Sequence, residues 1–431
     1  MLKPFADQDS IYRLLEPVQR APSVHNTQPW YFRIVADDRI DICARFGDGA
    51  EFTLTGNGRL PVSAALRREL IISCGAALYN LRLAIRVTGH DLAVWLLPRD
   101  SGPLVLASVE IVTSRTKRPT VTEQELYEAI PRRHTNRWPY DDRHRVLPPI
   151  LVAMQQAADR EQGRLRVLSR RQVRTWLRAA DGADREQRDD QGCQPDLAQW
   201  TNGGNSGVPA AAFGPPGTFS DDHHLWRHLG RRRGYAPVRD FRPRTHPGTQ
   251  GADQAGAPGG QGDRGKAQTP RFERRPQLMV LSTDGDRPLD WLRAGQALQH
   301  ALLTATRYGV SASFLTQPLE LHDARSRQGG PRESPESPGP GAGAQLLKFP
   351  GRSPGVPEAA GSGSQPLPGA GRDPGRRRLP WPWPFAEYPQ MVLRVGYATH
   401  DAVITARRAP DVLDSRTGRR MPRSRPDLGA A

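Results

Sequence analysis

The stretch Arg20-Ala-Pro-Ser-Val-His-Asn-Thr-Gln-Pro-Trp30 decides how this chain is read. Before it, Ile11, Leu14, Leu15 and Val18 recur at helical spacing, and Pro22 stops the pattern. After it, Tyr31 to Val35 reads as a strand. A polar, proline-stiffened connection therefore joins a helix to a strand. Loops of this kind carry function more often than packing. The plain alternative is a capping turn in which Ser23 and Asn26 satisfy backbone groups.

Outward from this loop the chain divides into ordered-looking stretches. Residues 1–62 hold the first helix, the loop and two strands, Tyr31–Val35 and Ile40–Ala44. In residues 63–115, Ser63 reads as an N-cap, and Leu66, Leu70, Cys74, Leu78, Leu81 and Ile85 form one stripe that Gly89 ends. Strand-like runs Leu92–Leu97 and Leu104–Val112 follow. Residues 121–180 carry helical patterns around an arginine cluster, and 276–320 read strand, turn, long helix, strand. Residues 242–270 and 322–380 are rich in Arg, Gly and Pro and poor in large apolar groups, so they cannot offset the entropy of ordering. They read either as disordered loops or as stretches of shifted reading frame.

The chain has 431 residues and a net charge of +16, from 61 Lys and Arg against 45 Asp and Glu, nearly all of the positive charge being arginine. Such a chain can attract phosphates non-specifically, but it shows no motif for specific nucleic-acid recognition. Its start lacks an apolar signal segment, and no run approaches the ~20 apolar residues of a membrane span. Three scattered cysteines, Cys43, Cys74 and Cys193, form neither a metal spacing nor a disulfide framework, which fits a reducing cytoplasm.

Two segments repeat. Cys74 to Gly89 and Ala294 to Gly309 align at a constant offset of 220, with Gly75/Gly295, Ala77/Ala297, Leu78/Leu298, Leu83/Leu303 and Gly89/Gly309 coinciding. Pro98 and Pro318 keep the same offset. Small residues at Gly75 and Gly295 suit a close helix–helix contact. Two unrelated amphipathic helices ending in glycine would share fewer of these features.

The loop resembles the Ser-x-x-Asn-x-Gln-Pro-Trp element of the nitroreductase superfamily, and with its leading Arg-Ala-Pro it is similar to the Acg family of FMN-binding, nitroreductase-like proteins. The resemblance implies an α+β fold: a nitroreductase-like fold duplicated in one chain, with two antiparallel-type sheets around central helices. Nitroreductases are homodimers whose FMN sites are built from both subunits, so a duplicated chain implies a pseudo-dimeric monomer. The expected halves are 1–115 and 121–413, with low-complexity insertions near 242–270 and 322–380 and a disordered tail from 414 to 431. The first half has the loop and the second has the arginine cluster, whereas Glu161 to Leu168 has no such loop. One composite site, and one flavin per chain, is expected.

The same resemblance implies roles. Pro22 and Ser23 would line the isoalloxazine, Asn26 would meet its polar edge, and Gln28, Pro29 and Trp30 complete the element. Arg133, Thr135 and Arg137 match an Arg-x-Ser-x-Arg/Lys segment that holds the FMN phosphate; two guanidiniums and a hydroxyl suit a dianion. Arg407, with Arg408 as the alternate, matches a tail arginine that reaches the phosphate or the flavin's N1/O2 edge. His25 reads as structural rather than catalytic. The glycines of 203–217 fall where a lid is expected, or are an ordinary loop. Asp221 to His224 is a poor metal cluster, since adjacent residues rarely face one ion. Thr283 to Asp286 reads as a turn before a helix.

Three functions stay open at this point. The first is an FMN-dependent oxidoreductase passing electrons from NAD(P)H to a small nitroaromatic or quinone-like acceptor. The second is a flavin-sequestering protein with little turnover. The third is a basic nucleic-acid-interacting or non-functional chain.

Overall fold

A computed structural model of the protein describes residues 4–45, 64–99, 101–102, 104–189, 273–316, 318–320 and 387–422. Ser63, Cys193, the glycines of 203–217, Asp221 to His224 and both expected insertions lie outside the described residues.

Helix α1 (Gln8–Gln19) starts where the Asp7 carboxylate accepts the Ser10 N–H at 2.8 Å, and it buries Ile11, Leu14, Leu15 and Val18. Strands β1 (Trp30–Ala36) and β2 (Arg39–Ala44) follow, then the long helix α2 (Ala64–Val87), β3 (His90–Leu96) and β4 (Val105–Thr116). Helix α3 (Val121–Ala129) opens on a reciprocal Thr120/Glu123 capping box. The chain goes on to α4 (Pro148–Arg160), whose leading proline is preset for a first helical turn. It continues through β5 (Arg164–Val167), α5 (Arg170–Asp189), β6 (Gln277–Thr283), α6 (Pro288–Arg307), β7 (Ser311–Phe314) and β8 (Tyr388–Gly396). Thr283 to Asp286 does form the turn before α6: the Thr283 hydroxyl donates to the Gly285 carbonyl, and Asp286 accepts from the Trp291 indole.

The two halves share one topology. Each sheet holds four strands in the same order, β1-β2-β4-β3 in the first and β5-β6-β8-β7 in the second, every neighbouring pair of these antiparallel. Helices α2 and α6 pack against each other between them. A Cβ on Gly75 would strike the Leu292 carbonyl, and one on Gly295 would strike the Ile72 carbonyl. Ile72/Leu292 and Gly75/Gly295 are both related by the 220 offset, so the contact is reciprocal, as in a self-complementary two-fold interface. That is the geometry a duplicated chain requires. Both glycines permit backbone-to-backbone approach that alanine would block.

Two expectations need correction. The stretch Arg67–Val87 of α2 is long and apolar enough to cross a membrane, contrary to the reading that no run approaches that length. The most apolar window of that stretch is 94% buried inside the protein, as suits a helix at the centre of a two-sheet fold. Two of its arginines are paired: Arg82 meets Glu161 at 2.6 Å and Arg86 meets Glu123 at 3.0 Å. The second correction concerns the tail, expected to be disordered from residue 414. Instead β9 (Val412–Asp414) pairs in parallel with β1, and β10 (Arg419–Arg420) folds back on it as a hairpin. Arg416 holds the turn through Asp414 and Asp37. The end of the second half thus completes the sheet of the first.

Candidate anion and cofactor site

The loop after α1 is held in an uncommon backbone shape. His25 (φ 45°), Asn26 (φ 54°) and Gln28 (φ 48°) all lie in the left-handed region, which costs a non-glycine residue roughly 1–2 kcal/mol. Among the described residues only Leu97 and Gln162 share that region without being glycine. Strain gathered this way persists because the surroundings impose it, and it marks functional sites. The surroundings are visible. The Ser23 hydroxyl accepts the Gln28 N–H at 3.1 Å, and the Val24 N–H donates to the Ser73 hydroxyl at 3.1 Å. The Pro29 carbonyl accepts from the Arg45 N–H at 3.0 Å and the Cys74 thiol at 3.2 Å. Trp30 is buried, and its indole N–H donates to Gln19 at 3.2 Å, tying β1 to the end of α1. Trp30 and Pro29 therefore anchor the loop, with Pro22 buried at its start.

Two remote segments meet this loop. The tail residues before β9 run across it: the Asn26 amide donates to the Ala406 carbonyl at 2.9 Å and accepts from the Arg407 guanidinium at 2.5 Å. The Gln28 amide accepts the Arg408 N–H at 2.8 Å. Both amides are thus engaged with the tail. Arg407 is the arginine turned into the site, whereas Arg408 contributes its backbone. From the other side, Arg133 is buried and donates to the Arg20 carbonyl at 2.8 Å. The segment that carries it is tied down next to it. Thr135 bridges Ala312 of β7 in parallel, the Asn136 amide donates to the His400 carbonyl at 2.8 Å, and Trp138 stacks on His400 with ring centroids 4.5 Å apart. Arg133 reaches the loop directly. Thr135 is tied to β7 instead, and Arg137 lies half-buried beyond it.

The electrostatics of this junction are one-sided. Arg133 is buried and Arg407 half-buried, and the Arg407 charge is felt at Arg133. Burial and the Arg407 charge bring Arg133 down to about 9, and burial and the Arg20 charge bring Arg407 down to about 10. His134 is lowered too, by burial and then by Arg133 and Arg407, which leaves it neutral at pH 7. The Nε of Arg133 is buried with no hydrogen-bond partner among the described residues. A buried guanidinium N–H without an acceptor is costly. The acid along the tail, Asp411, is already committed to Arg45 and Arg420. Such a site fits an anion, and a phosphate best, because guanidiniums present paired donors to phosphate oxygens.

Elsewhere the thiols are inert. Cys43 is pushed up to about 12 and Cys74 higher, both chiefly by burial, and both are free. No group of His, Cys, Asp and Glu able to hold a metal occurs among the described residues. Reading the sequence alone missed Arg20, His134, Asn136 and Ser73. The first lies inside the quoted stretch and the next two inside the arginine cluster, so a signal was present. Ser73 sits within a helix and had none.

Several proteins of Mycobacterium tuberculosis are similar to this chain. "Uncharacterized protein Rv3127" is 30% identical over 315 residues, covering 71% of this chain and 78% of its own length. "Putative NAD(P)H nitroreductase Rv3131" is 28% identical, covering 74% and 80%. "Putative NAD(P)H nitroreductase acg" is 26% identical, covering 74% and 83%. Among solved structures, a nitroreductase with bound FMN from Bacteroides fragilis is similar at 12% identity and a TM-score of 0.25, covering 65% of this chain and 91% of that one; at that level the overlay supports no residue correspondence. No family model matches the chain.

Proposed function

Because this chain belongs to the Acg family of nitroreductase-like proteins, we propose that it is an FMN-dependent oxidoreductase using NAD(P)H to reduce a small nitroaromatic or quinone-like acceptor. The observation that carries the cofactor is the buried, partly unbonded guanidinium of Arg133 opposite Arg407. These two residues, from opposite ends of the second half, hold the phosphate. Thr135 and Arg137, which the family resemblance places on the phosphate, lie beyond Arg133 on the segment that β7 ties down. The strained loop from Pro22 to Pro29 presents its backbone to the ring system, while Asn26 holds the Arg407 side chain and Gln28 the Arg408 backbone. Bound there, a flavin supplies the hydride- and electron-accepting chemistry, so no acid–base pair of the protein is required. The strained loop occurs once among the described residues, and one flavin per chain is expected.

One observation favours the second reading, a flavin-holding protein with little turnover. Residues 406–408 lie across the loop and use its amides, so the tail closes over the element that would meet the ring. The test is the absorbance spectrum of the purified chain, mass spectrometry of what denaturation releases, and anaerobic addition of NADPH. FMN at about one per chain, bleached within seconds, supports the oxidoreductase. Bound FMN that NADPH barely reduces supports holding. A colourless protein that takes up no added FMN overturns both.

A further inference from the structure

Helix α5 lies on the outer face of the second sheet. Val173, Trp176, Ala180 and Ala183 recur at helical spacing and are buried. Val173 and Trp176 share a core with Leu278 and Val280 of β6 and Val392 of β8, and the Trp176 indole donates to the Leu315 carbonyl at 3.1 Å. The start of the helix is fixed as well, where the Gln172 side chain accepts the Ser169 N–H at 2.8 Å. Its other side carries Arg170, Arg171, Arg174 and Arg178, all exposed. None of the four has an ion-pair partner among the described residues. By contrast Arg164 of β5, also exposed, meets Asp284 and Glu387. The helix holds no acid before Asp181, and its first turn has two arginines and no carboxylate. Cations at that end oppose the helix dipole, and the pairs Arg171/Arg174 and Arg174/Arg178 repel across one turn. Helix stability gives no reason for this face.

We propose that the arginine face of α5 docks the phosphate backbone of double-stranded DNA, recognising charge and not sequence. The inference stands apart from the flavin reading, since none of these arginines belongs to the loop junction. Charge complementarity and spacing carry it. Arg171, Arg174 and Arg178 stand at i, i+3 and i+7, on one side of the helix. They span roughly 10 Å of helix axis, over which one DNA strand passes about three phosphates. All four cations are arginine, whose planar fork suits phosphate oxygens. A membrane surface fits less well. A helix that lies in a lipid interface inserts its apolar face, and that face of α5 is already buried on the sheet. The net charge of +16 adds a long-range attraction of the same sign.

The experiment uses the full chain, the single variant Arg174→Gln and the triple variant Arg171→Gln/Arg174→Gln/Arg178→Gln. Binding to a labelled duplex of about 20 base pairs is read by fluorescence anisotropy from about 50 to about 200 mM salt. The affinity of the wild type should fall steeply with salt. On logarithmic axes the slope should flatten by about 1 in the single variant and by about 3 in the triple variant. A duplex of unrelated sequence should bind equally well. Slopes unchanged by the substitutions would assign the binding to other arginines, and a wild type that binds no duplex at about 50 mM salt would leave α5 a solvated face; each overturns the proposal. Vesicles containing an anionic phospholipid serve as the second probe. Binding to them in preference to the duplex, lost in the triple variant, would make the face a membrane contact and overturn the DNA assignment.

Discussion

The connection from α1 to β1 and the connection from α4 to β5 stand at matching places in two sheets of the same strand order, and they have opposite electrostatics. The first, Arg20–Pro29, is long and strained at His25, Asn26 and Gln28, and it gathers Arg20, Arg133 and Arg407 with charge left over. The second, Glu161–Gly163, is short, with only Gln162 left-handed, and Gly163 packs directly on Ala297 and Leu281. Its charges are settled internally. Glu161 meets Arg82 at 2.6 Å, Arg82 donates to Gln296 at 2.5 Å, and the His300 ring lies 3.3 Å from Glu161 and stacks on Tyr79. The difference teaches where a ligand belongs. A junction that balances its own charge needs nothing more, whereas one that ends in unneutralised cations would be completed by an anion from outside.

Breaking the neutralised junction should have the largest effect. Glu161→Ala leaves Arg82 buried without its carboxylate and is expected to cost about 3–5 kcal/mol at pH 7 by urea denaturation. Arg133→Met removes an unneutralised charge and should change ligand-free stability by under about 1 kcal/mol. Equal losses in the two variants would erase the contrast.

Acid titration sharpens the same contrast. Burial alone would raise Glu161, but the Arg82 charge and the His300 bond outweigh it and lower the carboxyl to about 2. Its stabilisation is therefore complete above the ordinary value of 4.5 and is lost as pH falls from there toward 2, about 3 kcal/mol in all. Stability curves in that window should be steeper for the wild type than for Glu161→Gln. Arg133 and Arg407 have the opposite sign. Folded values depressed below the ordinary guanidinium value disfavour the folded state at neutral pH, with relief only as pH rises through about 9 to 10.

The smallest of the three effects separates groups within the charged junction. Arg133→Ala removes a charge-assisted bond worth about 1.5–3 kcal/mol and should weaken FMN retention more than Asn26→Ala, as read by equilibrium dialysis. Equal retention in both variants would count against a composite site made from the loop and the arginine segment.

Much of the frame was legible in the residues. The apolar spacing of Ile11 to Val18 marked α1, and the reciprocal Gly75/Gly295 contact follows from a repeat visible as an offset of 220. Small residues at that spacing have one efficient use, which is close helix packing. The tail was misread for an equally physical reason. Asp414 to Arg420 has the composition of an exposed segment, and it is ordered only because β1 offers a free edge and Arg416 meets Asp37. Neither partner is near it in sequence. The length and apolarity of α2 were likewise underestimated, because Arg82 and Arg86 break its apolar run until Glu161 and Glu123 neutralise them.

The residues by themselves determined the polar loop, the arginine segment and the repeat, because periodicity, proline placement and motif spacing are local properties. Tertiary structure alone decided which arginines lack a counter-charge. Arg33, Arg82, Arg86 and Arg133 look alike along the chain. Asp41, Glu161 and Glu123 fold onto the first three, while Arg133 is buried, bonded to the Arg20 carbonyl and near the Arg407 charge. Neutralisation is a matter of distances across the fold, and those distances decide where an anion could complete a site.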